Sequence, residues 1–103
     1  MRIATVRTYA LSLEDVTEQP HHEYSSFRVR GRIFVTVPPK EDVIHVFVDE
    51  EVRERTLAMT PEWAGKLLWG GKARGLRIAL ATAPAATVKA LVRQAYETRA
   101  SGK

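Results

Sequence analysis

Three runs of β-branched and aromatic residues in the first half of the chain limit most strongly what it can fold into. The runs begin at Tyr24, Ile33 and Val43, and residues of these types are enriched in strands. Arg30 and Gly31 separate the first two runs and predict a two-residue hairpin turn with positive φ. Because Arg30 would share that conformation at some cost, a slightly longer loop is the alternative. Prolines and charged residues separate the last two runs, so the pattern predicts a three-stranded meander.

Helical patterns flank these strands. Apolar residues recur at helical spacing from Ile3 to Leu13. Segment Leu13–Pro20 is expected to form the helix exit and a connection, since the residue before a proline disfavours the α region. Asp49 is a suitable N-cap for a second helix. Pro84 is expected to open a third, which carries an apolar stripe.

Two further strand candidates, Leu67–Trp69 and Leu76–Leu80, lie between the second and third helices. The glycines between them predict a hairpin turn. The order of elements is then α-β-β-β-α-β-β-α. The sequence predicts an α+β fold with a five-stranded antiparallel sheet, in which residues 1–103 form a single domain.

Two of the central strand candidates are apolar on both faces. Ile33-Phe34-Val35 and Val46-Phe47-Val48 do not alternate with polar residues, as strands with one solvated face usually do. We expect either that helices cover both faces of these strands or that one face is an interface.

The composition favours an intracellular protein. The chain contains no cysteine, which excludes disulfides and thiolate metal sites and fits a reducing compartment. No apolar run approaches the ~20 residues that span a bilayer, and the N-terminus does not resemble a signal peptide. A cytoplasmic location without membrane association is expected.

The sequence offers little support for catalysis, a metal or a cofactor. His21 and His22 are adjacent, and neighbouring residues of a strand point to opposite faces, so they are poorly placed to share one ion. The glycine-rich segment 70–75 does not match the phosphate-binding pattern of a P-loop. No serine lies in a nucleophile-elbow context. We therefore predict no enzyme activity, no catalytic residue, no metal site and no cofactor.

The basic residues give the clearest functional signal. The net charge is +4 and the pI is about 9.8, in the range in which a nucleic-acid partner is considered. Two groups of cations surround the two glycine turns, and arginine at a hairpin tip can reach phosphate oxygens or a groove. The predicted DNA-binding residues are Arg28, Arg30 and Arg32 at the first turn, and Lys72, Arg74 and Arg77 at the second.

Several segments also carry a likeness to a known family: Glu18–His22, Ser26–Phe34, His45–Val46, Trp69–Lys72 and Tyr96. Together they resemble the MmcQ/YjbR family of bacterial proteins, over nearly the whole chain. The resemblance implies the same α-β-β-β-α-β-β-α order, with a topology similar to that of secretion chaperones. It also implies a "double wing", in which two hairpins have been proposed to grip DNA. By position, the wings here would be Arg28–Arg32 and Gly70–Arg77.

Three functions remain open at this point. The first is DNA binding through the two basic hairpins. The second is a protein-interaction or chaperone-like module, which would dock a protein partner or a second copy of the chain on a sheet face. The third is a small-molecule pocket bounded by Trp63, Trp69 and the segment His21–His22, which would require a concavity with converging polar groups.

Overall fold

A computed structural model describes residues 1–102, which form three helices and one six-stranded sheet. The helices are α1 (Ile3–Leu11), α2 (Glu50–Met59) and α3 (Ala85–Ala100). The strands are β1 (Val16–His21), β2 (Tyr24–Val29), β3 (Arg32–Val37), β4 (Val43–Val46), β5 (Ala64–Trp69) and β6 (Lys72–Ala79). All strand pairs are antiparallel, in the order β1-β2-β3-β4-β6-β5. Strands β1 and β5 are therefore the two edges of the sheet.

The α+β prediction is confirmed, but the predicted number of strands is wrong by one. The segment Leu13–Pro20, expected to be a connection, contains most of the edge strand β1, and α1 ends already at Leu11. Strand β1 pairs with β2 from Val16 opposite Val29 to the β1–β2 turn. Its polar residues hide the strand pattern, and a proline is tolerated because an edge strand need not donate every ladder hydrogen bond. The order is α-β-β-β-β-α-β-β-α.

The positions of both predicted hairpin turns are confirmed, but the second turn is shorter than predicted, because residues 72–75 already belong to β6. Arg30 and Gly31 have φ values of 49° and 82° between β2 and β3, and Gly70 and Gly71 have 59° and 78° between β5 and β6. Two successive residues with positive φ give the turn whose twist matches that of paired strands. Positive φ is sterically unfavourable for Arg30, whereas glycine adopts it freely.

The helix boundaries also follow local signals. Asp49 caps α2, since its side chain accepts a hydrogen bond of 2.9 Å from the backbone N–H of Val52. Pro84 directly precedes α3. The apolar stripe of α3 is buried from Val88 to Ala95 and joins the core together with α1. No helix within residues 1–102 is long and apolar enough to cross a membrane.

The apolar core lies on one face of the sheet, and a β-bulge explains why β3 looks apolar on both faces. Val35 is opposite Phe27, whereas Ile33 is opposite Arg28, so Phe34 is an extra residue without a partner in β2. A bulge interrupts the alternation of faces, and the ring of Phe34 packs edge-on against Tyr96 of α3 at 5.7 Å.

Strand β4 looks apolar on both faces for a different reason, because it ends at Val46. Phe47 and Val48 lie beyond the strand, so they are not bound to its alternation. The unbroken apolar pattern therefore does not by itself require a second helical layer or an interface.

Candidate nucleic-acid interface

The two basic turns lie at the same end of the sheet. Strands β3 and β6 run in the same direction, because each is antiparallel to β4. The β2–β3 turn directly precedes β3, and the β5–β6 turn directly precedes β6. Only β4 separates these strands, and adjacent strands lie about 4.8 Å apart. The topology thus brings together two turns that are distant in sequence.

The β2–β3 turn is tied to the C-terminal end of α3. One guanidinium nitrogen of Arg30 lies 3.4 Å from a carboxylate oxygen of Asp15, and another donates to the carbonyl oxygen of Ala100. A cation at this position complements the negative end of the helix dipole. Arg30 therefore has a structural role at this turn. Arg32 is exposed, and its Nη1 lies 3.5 Å from the position that a Cβ would take at Gly102.

Arg28 was predicted as part of this turn, but the structure places its side chain along the sheet. Its Nε donates to Ser26 Oγ at 3.0 Å, and its Nη2 donates to the carbonyl oxygen of Pro20 at 3.3 Å. The side chain is half-buried and reaches back toward the β1–β2 turn.

The β5–β6 turn presents cations that are less engaged. Lys72 and Arg74 are exposed, and within residues 1–102 neither forms an ion pair. Two apolar side chains accompany them on the edge strand β5, where Leu68 is 59% and Trp69 is 43% exposed. A basic tip with an exposed aromatic ring can contact both a phosphate and a base.

Arg77 lies away from the turn, in a polar row that sequence reasoning missed. Ser26, Thr36, His45 and Arg77 stand opposite one another on four neighbouring strands. They alternate with the apolar row that contains Val35 and therefore lie on the other face of the sheet. The only signal in the sequence is a single polar residue between apolar neighbours at Thr36, His45 and Arg77, and its meaning depends on the strand register.

This row holds a buried histidine whose pKa is lowered. Thr36 Oγ1 and His45 Nδ1 are hydrogen-bonded at 3.2 Å, and both residues are buried. Burial lowers the pKa of His45 below its usual value, and the positive charge of Arg77 lowers it further.

A small cavity joins the two edges of the sheet. It has a volume of about 150 Å³ and is lined by His21, His22, Tyr24 and Trp69; we call it the ring cavity. A neighbouring cavity of about 130 Å³ also contains His21 and Trp69, together with Phe47. As predicted, Trp69 lies in the same pocket as His21 and His22.

Trp63, the other predicted wall of a small-molecule pocket, lies elsewhere. It is 6% exposed and belongs to the apolar core. Tyr24 and Phe47 contribute rings that the sequence analysis did not assign to the pocket. Trp69 and the histidine pair were predicted to share a pocket, but no local sequence signal explains why the β1–β2 turn approaches the β5–β6 hairpin.

Two larger clefts differ in charge. One of about 440 Å³ contains Tyr24, His45 and Arg77, and also Lys40 and Asp42. A second cleft, of about 510 Å³, is lined by several carboxylates and so is a poor site for phosphate: its acidic residues are Glu18, Glu23 and Glu41. Within residues 1–102, no three His, Asp or Glu side chains are grouped so that they could hold a metal ion.

The fold and the positions of the turns define a single-sheet α+β protein with two glycine hairpins at one end. The family model described as YjbR matches residues 11–98. The chain belongs to the YjbR family, and the matched region includes both basic turns. No curated protein matches the chain.

Proposed function

We propose that this protein binds DNA through the end of the sheet where the β2–β3 and β5–β6 turns lie. The observation that carries the proposal is the placement of two basic turns at the same end, only one strand apart. The double-wing arrangement implied by the family resemblance supports it. The function is one of binding, with no catalytic step, and it agrees with the cytoplasmic location expected from composition.

The turns have different tasks in this proposal. Lys72 and Arg74 are exposed and have no acidic partner within residues 1–102, so they are free to contact phosphates. Arg30 already binds Asp15 and the end of α3, so it holds the first turn in place. Arg32 adds an exposed charge beside it.

Charge reversal at the second turn tests the proposal. We expect the wild-type protein to bind a fluorescently labelled duplex in an anisotropy titration at about 50 mM salt and to bind more weakly at about 200 mM. The double variant Lys72→Glu, Arg74→Glu should lose about tenfold or more in affinity. Absence of wild-type binding to this duplex and to a single strand of the same length, at micromolar protein and low salt, would refute the proposal.

Arg2→Glu provides the control for the single variant Lys72→Glu, because both change the net charge by the same amount. The amino group of Met1 donates to the carbonyl oxygen of Leu80, which directly follows β6. The N-terminus therefore lies at the opposite end of the sheet from the turns. Arg2 is exposed, and its reversal should change affinity far less than a reversal at the turn. An equal loss would show that only net charge matters.

A protein-interaction module is the second candidate function. Leu68 and Trp69 expose apolar surface on the edge strand β5, and an edge strand offers free backbone groups to a partner strand. The occupant would be a second copy of the chain or a partner protein. Light scattering that shows a dimer, lost on Leu68→Lys, would favour this function, whereas a strict monomer would remove the case for the homodimer.

A further inference from the structure

We infer that the ring cavity takes an unpaired nucleobase, so that the nucleic acid held by this protein is single-stranded or locally unpaired. The inference rests on the proposed function, because the basic turns would supply the phosphate contacts. Its independent support comes from the residues that line the ring cavity and their surroundings.

The wall of the ring cavity is made of flat rings. Each of the four lining residues, His21, His22, Tyr24 and Trp69, carries a planar ring. A cavity built in this way offers flat surfaces to a ligand, and a flat ligand can stack on them. Stacking of a base on an aromatic side chain tolerates any sequence, because every base has a π-face.

The indole of Trp69 is both supported by a neighbouring ring and exposed. The ring of Trp69 packs against Phe47 with 5.2 Å between ring centres, and Phe47 is only 7% exposed. Trp69 itself is 43% exposed. A base can therefore stack on an indole whose position is already fixed, so little ordering cost remains to be paid on binding.

The wall opposite Trp69 includes the β1–β2 turn. His22 has a φ of 58°, a left-handed conformation that is uncommon for a residue other than glycine. Positive φ at this position belongs to the two-residue turn between β1 and β2. The rings of His21 and His22 lie 4.8 Å apart. Imidazole, phenol and indole groups also place hydrogen-bonding atoms around the cavity, which suit the polar edges of a base.

Charged residues lie beside the ring cavity. Lys72 is directly opposite Trp69 across the β5–β6 turn. On the other side, Tyr24 also lines the cleft that contains Arg77 and Lys40, in which Asp42 is the one carboxylate. Cations thus lie on these two sides of the ring cavity, whereas His22 and Tyr24 also border the cleft that contains Glu18, Glu23 and Glu41. A base inside a duplex hides both of its faces in the stack, so only an unpaired base fits this site.

Binding measurements on Trp69 variants test the inference. The probes are labelled oligo(dT) and oligo(rU) of about 15 nucleotides, within the range of single-strand site sizes, and a duplex of the same length. Trp69→Ala should weaken single-strand binding about 5- to 150-fold, the effect of losing one base–aromatic stack. Trp69→Phe should retain most of the affinity, and duplex affinity should change less than about twofold in both variants.

Leu68→Ala is the matched control, because Leu68 is the neighbouring exposed residue on β5 and does not line the ring cavity. Its single-strand affinity should stay near that of the wild-type protein. Binding of oligo(dT), oligo(rU) or both, with loss in Trp69→Ala, supports the inference and identifies the sugar that is accepted.

Two results would overturn the inference. One is single-strand binding by Trp69→Ala within twofold of wild type, and the other is an equal loss for single strand and duplex. If thermal melting shows that Trp69→Ala is unfolded, acrylamide quenching of indole fluorescence in the wild-type protein replaces the variant as the test. Oligo(dT) should then protect the indole from the quencher. If oligo(dT) does not reduce quenching, the inference is overturned. Failure to bind any probe refutes the proposed function, whereas duplex binding with insensitive single-strand binding refutes the base site alone.

Discussion

Trp69 and His21 lie on opposite edges of the six-stranded sheet, in β5 and β1, and yet they line the same cavity. Adjacent strands are rotated by about 20–25° relative to one another, so a sheet of this width accumulates roughly 100° of twist. The edges can therefore approach over one face. The candidate site depends on the twist of the whole sheet. A substitution that disturbs this twist should therefore change the shape of the ring cavity.

Gly75 is the position where such a change should be most damaging. A Cβ at this residue would lie 2.3 Å from the carbonyl oxygen of Val46 and 3.1 Å from the Cα of Phe47. Both are backbone atoms, which cannot move aside as a side-chain tip can. We expect Gly75→Ala to lower the free energy of unfolding by about 2 kcal/mol or more in urea denaturation, and to displace the aromatic support of Trp69.

Gly65→Ala is the control for that substitution. Gly65 lies in the neighbouring strand β5 and has no atom within 4 Å of the position of its Cβ. Its replacement should change stability by less than about 0.5 kcal/mol. If both variants behaved alike, the close approach at Gly75 would not be a feature of the protein in solution.

Phe34→Ala tests the β-bulge. Phe34 is fully buried and packs against Tyr96, whereas Ile33 is partly exposed. We expect Phe34→Ala to cost about 3–5 kcal/mol and Ile33→Ala to cost clearly less. Regular alternation without a bulge would put Phe34 on the face opposite Val35, so a larger effect at Ile33 would contradict the register.

The elements with local signals could be predicted from the sequence. Arg30-Gly31 and Gly70-Gly71 marked the hairpins because positive φ selects glycine, and Asp49 marked the start of α2 because its side chain completes the first turn. The presence of cations at both turns was also visible. These features depend on residues that are close in the chain.

The features that were missed depend on tertiary structure. Strand β1 reads as a polar connection because an edge strand is stabilised by its partner and needs no apolar face of its own. The task of Arg30 depends on where α3 ends, 70 residues further along the chain. The ring cavity depends on the twist of the sheet, so Tyr24 and Phe47 carried no local mark of a site.

The buried histidine predicts how stability depends on pH. The pKa of His45 is lowered in the folded protein by burial and then by Arg77, so near pH 6 the unfolded chain binds more protons than the folded one. Stability is therefore highest above the unfolded pKa of about 6.5 and falls as the pH drops below it. Urea denaturation at several pH values should show this loss.

Arg77→Gln separates the two causes. Removing the positive charge should raise the pKa of His45 part of the way toward its usual value, as measured by NMR titration of the imidazole. The effect should be largest at low ionic strength, because Arg77 is exposed and its charge is screened. A histidine that titrates at or above about 6.5 in the wild-type protein would contradict the burial of His45.

Substitution of Arg30 should mainly lower stability, whereas substitution of Lys72 should mainly weaken DNA binding. Arg30→Gln loses an exposed ion pair and a favourable charge at the end of α3, together about 1 kcal/mol of unfolding free energy. Lys72→Gln loses no ion pair within residues 1–102 and should change the free energy of unfolding by less than about 0.5 kcal/mol.

In DNA binding the order of the two effects reverses. Lys72→Gln should reduce the slope of log affinity against log salt by about 0.9, the value of one phosphate contact, and Arg30→Gln by clearly less. Equal slopes would mean that Arg30 leaves its helix cap to bind phosphate, and the division of tasks between the two turns would be wrong.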